Sequence, residues 1–309
     1  MSAVASKRIS LHEAAALVRP GDTLGVGGMM LYRKPMAFVR ELVRQDVGDL
    51  TLLGFTSAFE AELLAAAGAV QTLRTCYFGL EFLGLAPVLR RAVERGQVQV
   101  IEETEYSLAM GLQAALMQVP YLPSRDSAVG TDYFRVRPDL RRTGCPVTGD
   151  VLTWFPAVAP RVAVFHAPMA DEAGNTWLGG QYGVDPQLAM AAQCTIVTAE
   201  RIVSTDEIRA AQGGATLTSF MVDAVVEAPG GAHPSSCWPD YPLDVLHLTR
   251  YLRQLRSDGG AAYLQRYVRE PASLHDYLQR VLVDEAPQVP SAAGVQVADD
   301  RGAAQAHHA

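Results

Sequence analysis

The stretch Gly21-Asp22-Thr23-Leu24-Gly25-Val26-Gly27-Gly28-Met29-Met30-Leu31-Tyr32-Arg33-Lys34-Pro35 decides the fold. A short apolar run ends in a glycine pair. Pro35 then stands where a helix can begin, because its fixed φ suits a first helical turn. Strand, glycine turn and helix open a βαβ unit. Without side chains at Gly27 and Gly28, a ligand can approach the backbone. Their N–H groups, with that of Met29, could hold a phosphate or the oxyanion of an attacked thioester. A tight turn of purely structural purpose competes with that reading. The dinucleotide fingerprint is not met, since Met30 stands where its last glycine belongs, and no phosphate-loop lysine–hydroxyl pair follows.

Outward from this stretch, short apolar runs alternate with amphipathic segments, the rhythm of an α/β parallel sheet. The pattern predicts strands at Thr23–Val26, Leu50–Leu53, Val98–Ile101, Val162–Phe165, Thr195–Thr198 and Val222–Val226. Helices are predicted at Pro35–Arg44, Phe59–Ala66, Pro87–Arg95, Ser107–Met117 and Asp185–Ala192. A first helix starts at the capping box Ser10-Leu11-His12-Glu13 and ends before Pro20. Arg135–Pro160, rich in Pro, Gly and Arg, reads as an excursion from the sheet, and after Pro242 the periodicity is helical. One domain over residues 1–284 is therefore expected, with a disordered tail over 285–309, where Ala, Gly, Pro and Gln leave little to pack.

Composition removes whole classes of function. A net charge of −7 argues against nucleic acid as the main ligand, though local positive charge can still serve a phosphorylated one. Cys76, Cys145, Cys194 and Cys237 form no Cys-x-x-Cys pair, so neither a zinc site nor a redox motif is expected. No long uncharged apolar run or leader-like start is present, so a cytoplasmic location without membrane contact is expected.

Gly21-Asp22, the apolar strand, Gly27-Gly28 and Pro35 resemble the signature of class I CoA-transferase α subunits, with Met29 where an aromatic is usual and Arg33 where a glycine is usual. Arg33-Lys34-Pro35 is similar to glutaconate CoA-transferase α subunits. So are Asp171-Glu172-Ala173-Gly174-Asn175, Thr195–Glu200 and the segment Ala228–Cys237 containing Gly230-Gly231-Ala232-His233-Pro234. The resemblance covers roughly residues 8–283. It implies a Rossmann-like three-layer α/β/α subunit with a helical C-terminal segment, paired with a β subunit of the same fold in a heterodimer or heterotetramer. It also implies acyl-CoA as substrate, no metal, and a catalytic glutamate carried by the β chain, where it would form an acyl anhydride and then a glutamyl-CoA thioester. No glutamate in this chain lies in the corresponding Ser-Glu-Asn-Gly type of motif, so the chain alone should not be a transferase.

Several side chains compete for roles. Glu102, Glu103 and Glu105 precede a helix at a strand end, where open α/β sheets bind ligands. Glu103 and Glu105 either sit in solvent and complement the helix dipole, or Glu105 is a base. The second view follows from a resemblance to CoA-transferase-fold hydrolases of steroid-ring degradation, whose α-subunit glutamate matches Glu105. Arg125, in a loop region that also offers Gly130 and Thr131, could bind a substrate carboxylate, and so could Arg33 and Lys34 beside the glycine turn, which suits a short or dicarboxylic acyl-CoA. Solvated or locally paired charges are the competing view. His166 reads as a core histidine and His233 as a structural one without an acidic partner. Trp154, Trp177 and Trp238 read as packing. The leading expectation is the α subunit of an acyl-CoA:carboxylate CoA-transferase. A hydrolase or decarboxylase on the same fold and a noncatalytic acyl-CoA-binding scaffold are its alternatives.

Overall fold

The βαβ rhythm is realised in a computed structural model that describes residues 5–125, 128, 130–258 and 260–285. Its strands are β1 (Thr23–Val26), β2 (Leu50–Ser57), β3 (Val70–Phe78), β4 (Gln99–Glu102), β5 (Tyr121–Arg125), β6 (Arg141–Gly144), β7 (Val151–Pro156), β8 (Val162–Ala170), β9 (Thr176–Trp177), β10 (Cys194–Ile202) and β11 (Ala224–Glu227). The main sheet runs β11-β10-β8-β1-β2-β3-β4, every neighbouring pair parallel, with β9 antiparallel against β8. The predicted excursion is a small antiparallel sheet, β5-β7-β6.

Alternation along the central strands sorts the apolar core into two layers. Leu24, Val26, Leu52, Val162 and Val164 face one side, against the helices Met36–Arg44 and Phe59–Ala66 and the tyrosines of the C-terminal helices. Leu53, Ala163, Phe165 and Val197 face the other, with Leu108, Leu112 and Leu188 from the helices Glu105–Leu116 and Asp185–Ala191. Buried on both faces, β8 reads as an apolar run in which His166 is the one polar residue. This is the three-layer α/β/α arrangement expected.

Two departures have clear causes. β3 was not predicted, because Gln71, Thr72, Arg74 and Thr75 break its apolar pattern next to the edge strand β4. The helix expected from Ser107 starts at Glu105, because Thr104 caps it: the Ser107 N–H donates to Thr104 Oγ1 at 3.0 Å, and the Thr104 N–H donates to Ser107 Oγ at 2.9 Å. The C-terminal helices are Val245–Asp258, Ala261–Leu264 and Leu274–Glu285. The tail expected over 285–309 lies, past Glu285, outside the described residues.

Candidate active site

The glycine turn leaves β1 in the middle of the sheet, beside β8, and its backbone is fully engaged from Gly27 to Arg33. The N–H of Gly27 donates to Val164 O at 2.9 Å, that of Gly28 to both Asp185 oxygens at 3.2 Å, and that of Met29 to Tyr32 O at 3.0 Å. Those of Met30, Leu31, Tyr32 and Arg33 donate to Thr56 Oγ1, Glu81 Oε1, Met29 O and Ser236 O. The oxyanion or phosphate donors expected at Gly27, Gly28 and Met29 are thus committed inside the chain. The glycines serve close packing instead. A Cβ on Gly27 would lie 2.1 Å from the Phe165 ring, and one on Gly28, at φ +80°, 2.5 Å from Arg33 O.

Arg33 and Lys34 are wholly buried rather than facing a ligand. The Arg33 guanidinium donates to His166 O, Gln181 O and Asp185 Oδ2, each at 3.2 Å. Lys34 Nζ donates to Thr56 O at 2.6 Å and Gly28 O at 3.2 Å, and pairs with Glu60 at 3.1 Å. Burial pushes the Asp185 carboxyl above its ordinary range, while Arg33 and the Gly28 N–H hold it down. Two buried ion pairs therefore clamp the turn.

Around this clamp the backbone is strained. Met30, Arg33, Asp46, Asp49, Glu81, Gln118 and Gln181 are the non-glycine residues with positive φ among those described. Met30, Arg33, Glu81 and Gln181 gather at the glycine turn. Such conformations persist only where the surroundings over-determine them, and they concentrate at functional sites. Met30, Glu81 and Gln181 line a cleft of about 700 Å³ with Met29, Tyr32, Ser236 and Trp238. A second cavity of about 710 Å³ shares Tyr32, Gly180 and Trp238 with it and continues past Trp177 and Tyr182. The cleft opens at the carboxyl ends of the central strands, where ligands bind in open α/β sheets. Trp238, 60% exposed, is a wall of this cleft and not packing.

The other predicted residues lie apart from the cleft walls. Arg125 projects from the small sheet, 82% exposed, and pairs with Asp150 at 2.9 Å. Gly130 and Thr131 sit in the loop before the short helix Tyr133–Val136, with Thr131 Oγ1 donating to Ala128 O at 2.7 Å. Glu105 is exposed at the first position of its helix and makes no hydrogen bond or ion pair among the described residues. Glu103, read from sequence as solvated, is buried between Arg74 and Arg137, at 2.6 and 2.8 Å, and accepts a bond from Ser107 Oγ. Burial, with the Glu103 and Glu105 carboxylates, pushes the Cys76 thiol up to about 12, which disfavours its thiolate.

Both histidines are interior. His166 bonds Thr198 Oγ1 at 2.8 Å and Glu200 at 2.6 Å beneath the Arg33 guanidinium, as a core histidine should. His233 does have an acidic partner, Asp244 at 2.9 Å, and Tyr277 on its other ring nitrogen. Sequence reading missed Asp185, Glu81 and Gln181. The first carried a helix-start signal only, and the other two carried none, since their positive φ and their meeting are products of the fold.

Similarity to known proteins places the chain in a family. The family profile for coenzyme A transferase matches residues 8–228. A protein of Archaeoglobus fulgidus is 37% identical over 282 residues, 90% of this chain, and the chain spans 63% of that relative's length. A 3-oxoadipate CoA-transferase subunit of Pseudomonas knackmussii is 35% identical over 76% of this chain and 84% of its own length. The cholesterol ring-cleaving hydrolase IpdA subunit of Mycobacterium tuberculosis is also 35% identical, over 77% of this chain and 84% of its own. Among solved structures, glutaconate coenzyme A-transferase from Acidaminococcus fermentans superposes with a TM-score of 0.81 at 28% identity, covering 89% of this chain and 93% of that one. The decarboxylase AibA/AibB gives 0.77 at 35% identity, covering 84% and 98%. The chain belongs to the class I coenzyme A transferase family and has its α-subunit fold. No helix among the described residues is long and apolar enough to cross a membrane.

Proposed function

We propose that this chain is the α subunit of an acyl-CoA:carboxylate CoA-transferase whose nucleophilic carboxylate comes from a β-chain partner. The clamped, strained cleft beside Gly28 carries this reading, because it offers walls and a fixed floor for a thioester end. The cleft's own carboxylate, Glu81, is engaged with the Leu31 N–H. Trp238 is exposed in the wall, and Phe82, the residue after Glu81, is 68% exposed; such exposed aromatic side chains suit a docking partner. Among the described residues no cation lines the cleft, so it fits the acyl and thiol end of acyl-CoA rather than its phosphates. The test is coexpression with the β chain, followed by acyl-CoA turnover with and without an acceptor acid and borohydride trapping of an enzyme–CoA thioester. Acceptor-dependent turnover and a trapped adduct on the β chain are expected. Acceptor-independent CoA release without an adduct would end the transferase reading.

One observation favours a second reading. The Glu105 carboxylate is exposed and unengaged, as a base awaiting substrate would be, and the chain is similar to a ring-cleaving hydrolase subunit. Under that reading Glu105 activates water or removes a substrate proton.

A further inference from the structure

On the reading that the cleft receives the thioester end of an acyl-CoA, we propose that it selects a neutral, largely apolar acyl group and rejects a second carboxylate. Glu81 is the residue that sets this selectivity.

The free acid of a dicarboxylic substrate is met best by a cation, and the three singled out in the sequence for that role are spent. Arg33 is enclosed by Asp185, His166 O and Gln181 O, and Lys34 by Glu60, Thr56 O and Gly28 O. Arg125 stands on the small sheet against Asp150. What remains on the walls is Met29, Met30, Leu31, Tyr32, Trp238 and Leu243, all apolar or aromatic, with Gln181, Ser236 and Glu81 as the polar groups.

Glu81 is the charged residue of the lining. It is fixed at φ +54°, in the turn that follows β3, and its carboxylate receives the Leu31 N–H at 3.4 Å. A carboxylate has lone pairs beyond that single contact, so it can accept from a hydroxyl on the acyl chain. A second carboxylate can offer it nothing, and in a partly dehydrated cleft two like charges repel strongly. Discrimination on the order of 100-fold follows from that repulsion at close range. The volume of about 700 Å³ also leaves room for a branched or cyclic acyl group beyond a two- or three-carbon one.

The experiment measures kcat/KM of the copurified α–β complex on neutral acyl-CoAs (isovaleryl, hexanoyl and cyclohexanecarbonyl) against glutaryl-, glutaconyl- and 3-oxoadipyl-CoA. A neutral preference of roughly 100-fold is expected, and Glu81→Gln should shrink the ratio at least tenfold, with copurification and melting temperature confirming assembly. Wild-type preference for the dicarboxylic thioesters overturns the inference while sustaining the acyl-CoA reading, and so does a ratio unmoved by Glu81→Gln. A complex that neither turns over nor binds any acyl-CoA overturns both.

Discussion

Two interior polar regions of this chain are built on opposite principles. Beneath the cleft, the turn is held by full charges in pairs, Arg33 with Asp185 and Lys34 with Glu60. Beneath the C-terminal helices, the interior is filled mainly by neutral rings, with Arg40 over the Tyr277 ring, Glu62 accepting from Tyr251 Oη at 2.9 Å and Asp244 against His233 as the charges among them. His247 Nε2 meets Tyr263 Oη at 2.8 Å, His233 Nδ1 meets Tyr277 Oη at 2.7 Å, and the rings of Phe59, Tyr251 and Tyr263 pack edge to face at 4.8–5.9 Å. Charge-assisted bonds hold backbone in conformations it would otherwise leave, which a functional turn requires. A helical cap needs only volume and satisfied hydroxyls. The ion-paired turn should therefore be brittle to substitution, and the ring-rich region, with its buried imidazoles, sensitive to acid.

The largest effect expected is at the clamp. Arg33→Met leaves Asp185 buried without its partner, and Lys34→Met does the same to Glu60. Each should cost about 3–5 kcal/mol, a melting-temperature fall of roughly 6–20 °C for a chain of this size. A variant that melts within a degree or two of the parent would break the contrast. Gly28→Val belongs with them and should lose stability as well as activity, because the new Cβ meets backbone carbonyls at 2.5 and 2.6 Å.

Next comes the response to acid. Burial, followed by His233 and Arg40, pushes the His247 imidazole down to about 3. An unfolded histidine titrates near 6.5. Between those values the unfolded chain binds a proton that the folded chain refuses, so stability falls as pH drops from about 6.5 towards 3. From pH 7 to pH 4 this group alone should remove about 3 kcal/mol. Urea midpoints measured across that range would show it, and His247→Gln should flatten the slope. A slope unchanged in the variant would place acid sensitivity elsewhere.

The smallest stability effect is expected at Glu105, outside both regions. Glu105→Gln removes only a favourable helix-dipole contact, about 0.3–1 kcal/mol. Turnover then discriminates sharply. A few-fold change agrees with the transferase reading, and a loss of ~10²–10⁴ agrees with a base at that position.

Legibility in the sequence followed the reach of the interactions. Thr23–Val26 and Phe59–Ala66 emerge with their predicted bounds, because strand alternation and helix periodicity are local signals. The cleft was half legible. Gly27, Gly28, Arg33 and Lys34 were singled out, but as ligand contacts, since nothing nearby in the chain shows that Asp185 and Glu60 absorb their polar groups. Glu103 and Glu105 look alike in sequence, and only the approach of Arg74 and Arg137 buries one and leaves the other in solvent. The acid partner of His233 stands eleven positions on, and the chain must turn back on itself to bring it there.

The strand order also sets a timetable. β1 emerges from the ribosome early, yet one of its neighbours is β8, and the carboxylate that accepts the Gly28 N–H lies 157 residues downstream. At ordinary translation rates that interval lasts roughly 8–30 s. During it, the Gly28 amide and the Arg33 guanidinium wait for Asp185, while Glu60 is already at hand for Lys34. The cleft can be completed only late in synthesis, so a nascent chain stalled before Asp185 carries β1 to β4 and β8 of the main sheet without a finished site.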